Sequence, residues 1–117
     1  VTARDLQFKD GQWTRSKSFD TFCPLGPWVD TDFDPADAIV TCHVNGELKQ
    51  MASTRDMVFN VMQLAAFVSS IMTLEPGDVI LSGTPAGVSP IKPFDVVEVT
   101  IEGLGKLRNA VRAEPPH

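Results

Sequence analysis

The chain has 117 residues, one domain's length and enough to bury a hydrophobic core. Hydrophobic residues make up 43% and charged residues 21%, an ordinary globular balance that excludes a disordered chain. The 10 basic and 15 acidic residues give a formal charge of −5, which disfavours nucleic acid or an anionic membrane as partner but not a small anion held by a local Arg/Lys cluster.

In chain order, residues 1–29 mix charges with Trp13, Phe19, Trp28 and the punctuation of "PLGP", and read as irregular and functional. "DTDFDPADA" (30–38) is an acidic loop expected at the surface. In "IVTCHVNGELKQM" (39–51) two β-prone runs flank Asn45-Gly46, a dipeptide suited to positive φ at both centres of a tight hairpin turn. From Ser53 the period changes. Ser53 or Thr54 would cap a helix over about 55–72, with Asp56 in its first turn. Val58, Val61, Met62, Ala65, Val68, Ile71 and Met72 would form its apolar face. Pro76-Gly77 then turns the chain into "DVILSG" (78–83), which reads as a short buried strand. A Gly/Pro loop, "TPAGVSPIKPFD", leads to "VVEVTIEG" and "KLRNAVRA", the last two strands. One helix among many strands makes an α+β fold with a β-rich core.

Cys23 and Cys42 fit neither a disulfide framework nor a zinc pattern, and are expected as reduced, mostly buried thiols. No stretch is long or apolar enough to span a membrane, and no signal peptide is visible, so the expected location is the cytoplasm.

Three places gather polar groups in apolar or constrained surroundings. Arg4, Asp5 and Gln7 could hold a ligand, or form a surface turn in which Asp5 pairs with Arg4 or caps an N–H. Lys17, flanked by Ser18 and Thr21 and next to Phe19 and Phe22, could orient a carboxylate or oxyanion, or be a solvated Lys beside core aromatics. Thr84 lies between Gly83 and Pro85 where a strand opens into a Gly-rich loop, a common place for a site and equally for a tight connection. No Lys follows at the offset a phosphate loop needs. His43 sits mid-strand without a partner at dyad spacing, and reads as a structural or surface histidine. His117 is terminal and is assigned no role. No metal-ligand spacing occurs.

Read together, "VTARDLQ", "QWTRSKSFDTFCPLGPWV", "VNGELKQ", "TLEPGDVILSGTPAGV" and "IEGLGKLRN" resemble the C-terminal half of the fumarylacetoacetate hydrolase catalytic domain, over almost the whole chain. Among its members, the bacterial 2-hydroxyhepta-2,4-diene-1,7-dioate isomerases and acylpyruvases are the ones resembled. The resemblance implies a rolled, mixed β-sheet fold with few helices, usually a homodimer, and a metal-dependent enzyme acting on 2-oxo or β-diketo acids, including dicarboxylates of aromatic catabolism. Such enzymes hydrolyse C–C bonds, decarboxylate, isomerise or hydrate. It further implies that Mg²⁺ or Mn²⁺ is held by an Asp just before the position of Val1 and by an earlier Glu-x-Glu pair, so that the chain is a fragment lacking those ligands. By position, Arg4 and Gln7 match residues contacting substrate oxygens, and Lys17 matches the lysine that stabilises developing negative charge. Thr84 matches the hydroxyl that binds the substrate carboxylate, and Thr21 a position near the metal in some members. The alternative is a non-catalytic module that associates with a separate N-terminal half or with itself.

Overall fold

The computed structural model describes residues 1–113; His117 lies outside them. Two short helices, α1 (Arg4–Asp10) and α2 (Thr14–Lys17), come first. Strands β1 (Ile39–Val44) and β2 (Glu47–Ser53), a single 3₁₀ turn (Thr54–Asp56), helix α3 (Val61–Ile71) and strands β3 (Val96–Ile101) and β4 (Gly105–Ala110) follow. The strands form one sheet in the order β2-β1-β3-β4, antiparallel throughout. The β-rich α+β class read from the sequence is the class observed.

The hairpin forms where Asn45-Gly46 places it. Asn45 has φ 52° and Gly46 φ 82°, and Val44 pairs with Glu47. Along β2, Cys42 faces Gln50 but His43 faces Leu48, so Lys49 is the extra residue of a β-bulge. β3 and β4 correspond to the two C-terminal runs, with Ile101 paired to Gly105 across their turn. Trp28 crosses this end of the sheet, its indole N–H donating to the Leu104 carbonyl at 3.2 Å. A Cβ on Gly105 would stand 2.5 Å from the Trp28 ring, so the glycine makes room for the indole. Ala38 and Val44 are the buried apolar residues among those described.

Several expectations are corrected. Residues 1–29 are not wholly irregular, because α1 and α2 are held to each other by the Ala3 N–H donating to the Ser16 carbonyl at 3.0 Å. Both are too short to show periodicity and lack a side-chain N-cap. The main helix starts at Val61, not near 55. Ser53 ends β2, and its Oγ accepts from the Arg55 N–H of the 3₁₀ turn. Asn60 is the true N-cap, in a reciprocal pair with Gln63. The helix stops at Ile71, and Pro76-Gly77 instead forms a turn closed by the Asp78 N–H to the Glu75 carbonyl. No α3 residue is buried; Leu64, Ala65 and Val68 are half-buried, whereas Met62, Phe67 and Ile71 stand exposed. Residues 78–83 pair with no strand among the described residues, and Val79, Ile80 and Leu81 are exposed. An apolar run becomes a buried strand only where a neighbouring strand and a covering layer exist. Cys23 is exposed and Cys42 half-buried, its thiol pKa raised by burial. Among the described residues no helix is long and apolar enough to cross a membrane.

Candidate functional site

The first cluster is built by the two short helices. Arg4 opens α1, and its Nη1 donates to Gln7 Oε1 at 2.5 Å, a pair three residues apart on one helical face. Gln7 is buried and Arg4 exposed, so the guanidinium is held against the helix with its other donors outward. Asp5 forms no ion pair with Arg4 among the described residues, because adjacent helical positions point apart. Lys17 closes α2. Its ammonium donates to Thr2 Oγ1 at 2.6 Å and lies 5.9 Å from the Trp13 ring centroid.

The Ala3–Ser16 backbone bond brings the two helices together, and Ser16 is fully buried with its hydroxyl donating to the Trp13 carbonyl at 2.9 Å. Arg4, Gln7 and Lys17, separate in sequence, therefore belong to one small unit. The hydroxyl on Lys17 is that of Thr2, not of Ser18 or Thr21 as its sequence neighbours suggested. Thr2 is the residue the sequence reading missed; its signal was its place inside "VTARD".

Thr21 makes no side-chain hydrogen bond among the described residues, and it has φ 69°. A β-branched residue in the left-handed region is strained, and such strain persists only where surrounding structure imposes it. Beside it, Phe19 and Phe22 pack with ring centroids 5.3 Å apart.

Thr84 lies in the Gly/Pro loop and is exposed, with its Oγ1 accepting from Gln50 Nε2 at 2.7 Å. The same amide nitrogen donates to the Pro85 carbonyl at 2.8 Å. Gly87 fits against β2 so closely that a Cβ would stand 1.9 Å from the Lys49 carbonyl oxygen. The loop is thus docked on the bulged strand. No hydrogen bond or ion pair among the described residues joins it to the α1–α2 unit, so each group of donors is held by its own local contacts.

His43 is half-buried in β1, opposite Glu98 of β3. Glu98 is engaged by Lys106 at 3.2 Å and Arg108 at 3.8 Å, and the His43 side chain makes no hydrogen bond or ion pair among the described residues. No group of three or more His, Cys, Asp or Glu able to hold a metal ion occurs among the described residues. Arg4, Gln7, Lys17 and Thr84 supply N–H and O–H donors and no carboxylate. Such a set suits the negative end of a substrate, not a hard divalent cation.

Residues 1–112 match the family described as fumarylacetoacetate (FAA) hydrolase C-terminal. The chain is 60% identical to an uncharacterized protein of Methanocaldococcus jannaschii over 114 residues, covering 97% of this chain and 48% of that protein. It is 46% identical to the mitochondrial oxaloacetate tautomerase Fahd2a of Rattus norvegicus, over 95% of this chain and 39% of that one. A 2-hydroxyhepta-2,4-diene-1,7-dioate isomerase from Mycobacterium marinum superposes with a TM-score of 0.93 at 55% identity, over 96% of this chain and 44% of that one. The maleylpyruvate hydrolase of Sphingobium sp. SYK-6, solved with manganese(II) and pyruvate, superposes with a TM-score of 0.82 at 40% identity, over 88% of this chain and 40% of that one. The chain spans about half the length of the relatives it matches, or somewhat less. With that family match over residues 1–112 and this likeness in fold and sequence, the chain belongs to the fumarylacetoacetate hydrolase family.

Proposed function

We propose that this chain is the substrate-anion-binding part of a divalent-metal-dependent enzyme acting on small 2-oxo or β-diketo acids. The observation that carries the reading is the α1–α2 unit, where one backbone bond joins the helices that carry Arg4, Gln7 and Lys17 and where the Asp10 carboxylate is taken up by Arg15. The names of the relatives agree in chemistry. Oxaloacetate and maleylpyruvate are 2-oxo acids, and a 2-hydroxy-diene acid is the enol of one.

The described residues lack a ligand set for the metal. Its carboxylates, three by resemblance, would come from the part of the protein that the relatives have and this chain does not span. The ion, Mg²⁺ or Mn²⁺, would supply chelation of the oxo-acid and polarisation of its carbonyl. The residues present act on the substrate's charge. Arg4 and Gln7 contact its oxygens, Thr84 donates to its carboxylate, and Lys17 stabilises the negative charge that develops as the enolate forms. Thr21 is the position assigned beside the metal. A cytoplasmic homodimer completes this reading.

A second reading has support of its own. The accessible surface is 9345 Å², against about 6200 Å² for a compact monomer of this mass. Together with the exposed side of α3, this favours a module that must associate with a further half of the protein, or with itself, to be covered.

Lys17→Ala in the intact protein tests the first reading. The enzyme reading expects kcat on oxaloacetate or an acylpyruvate, with Mn²⁺ or Mg²⁺, to fall about 10²-fold or more while metal affinity stays near the original. Unchanged turnover would remove Lys17 from the chemistry. Micromolar Mg²⁺ binding by the 117-residue chain alone would contradict the placing of the ligands outside it.

A further inference from the structure

We propose that Gln50 is a positioning residue for Thr84, holding its hydroxyl so that the proton is presented to the substrate carboxylate. This rests on the reading of Thr84 as a carboxylate-binding group. The argument begins with the amide. Pro85 contributes a carbonyl oxygen, which can only accept, so the side of the Gln50 amide facing the loop is its nitrogen. One N–H goes to Pro85 at 2.8 Å and the other to Thr84 Oγ1 at 2.7 Å, which uses both amide donors. The Thr84 oxygen is therefore an acceptor toward β2, and its own O–H remains to be donated elsewhere. Thr84 is exposed, so a ligand can reach that donor.

Two further features point the same way. The bulge at Lys49 interrupts the β1–β2 register immediately before Gln50, and bulges re-aim the side chains beside them. Gly87 then lies directly on the Lys49 carbonyl, where no larger residue fits. The loop carrying Thr84 is thus clamped on the same two residues of β2. A glutamine half-buried in this place sets the polarity of the hydroxyl as well as its position. A carboxylate there would reverse that polarity by accepting the Thr84 proton, and would repel the substrate anion.

The test measures pyruvate binding by calorimetry in the intact protein loaded with Mn²⁺, with folding followed by thermal melting. Thr84→Val is expected to weaken binding tenfold or more, and Gln50→Leu about tenfold, in the range of a hydrogen bond to a charged group. The double variant should be no weaker than Thr84→Val, because Gln50 acts through that hydroxyl. Gln50→Glu, close to isosteric, should bind more weakly than Gln50→Leu, a difference that simple anchoring of the loop would not produce. It also stands in if the leucine variant does not fold. Unchanged affinity in Gln50→Leu beside a weakened Thr84→Val overturns the role of Gln50 alone, as do additive losses in the double variant. Unchanged affinity in Thr84→Val, or no pyruvate binding by the original protein, overturns the site reading and this inference together.

Discussion

Asn45 closes the β1–β2 hairpin and also reaches across the sheet. Its Oδ1 accepts from the Val96 N–H and its Nδ2 donates to Asp95 Oδ1, both at 2.8 Å. The buried Asp95 carboxylate also accepts from the Lys92 N–H at 2.9 Å. The Asn45 hydrogen bond first, and the Lys92 N–H second, hold its pKa below the usual carboxylate value. A carboxylate with a depressed folded-state pKa stabilises the fold above the unfolded pKa and loses that contribution as pH falls through the folded one. Thermal stability should therefore decline on acidification below about pH 4. Asp95→Asn should be less stable at pH 7 and show a flatter decline, and melting curves across pH 2–7 would show it. An unchanged acid limb in Asp95→Asn would mean that other carboxylates dominate. The turn itself was legible from Asn45-Gly46, but its link to Asp95 depends on β1 pairing with β3.

At the scale of elements, the cap of α3 and the seating of the Thr84 loop each rest on one residue. Asn60 and Gln63 satisfy each other's backbone N–H groups at 2.9 Å. Asn60→Ala should cost about 1 kcal/mol, read from urea denaturation. Ser53→Ala acts elsewhere, since that hydroxyl donates to Asp37 at 2.7 Å and serves the 3₁₀ turn. The "NVMQ" spacing carries the cap signal, which Ser53 imitates because it also precedes an acidic residue at helical distance. Gly87→Ala should push the loop off the Lys49 carbonyl, with φ 101° adding backbone strain. If Thr84 binds the substrate, kcat/KM should fall about 10²-fold, the usual consequence of an ångström-scale misplacement. Strand content by circular dichroism should be retained. Wild-type kinetics in that variant would show that the loop's seat on β2 does not matter to the site.

The whole chain is less compact than its length allows. Its radius of gyration is 15.5 Å, against about 13 Å for a compact domain of this size. The excess surface is consistent with a body that packs on more protein, as relatives twice its length would provide. The isolated 117 residues should accordingly bind a hydrophobic dye and form assemblies of mixed size, whereas the intact protein should be dye-silent and of one defined size; dye fluorescence and sedimentation would compare them. A monodisperse, dye-silent 117-residue chain would mean these apolar faces are tolerated in water.

What the sequence determined by itself were the features governed by local chemistry and by short-range pattern. These are the Asn45-Gly46 hairpin, the alternating β3, the existence of α3 and the ordered motifs that place the chain in its family. Tertiary structure alone decided which hydroxyl meets Lys17, that Gln50 holds Thr84, that α1 and α2 form, and that residues 78–83 lack a sheet partner among the described residues. The physical reason is common to all of them. A turn or cap is fixed by groups a few residues apart, whereas a hydrogen bond such as Gln50 to Thr84, 34 residues distant, exists only once the sheet has set where each loop lies.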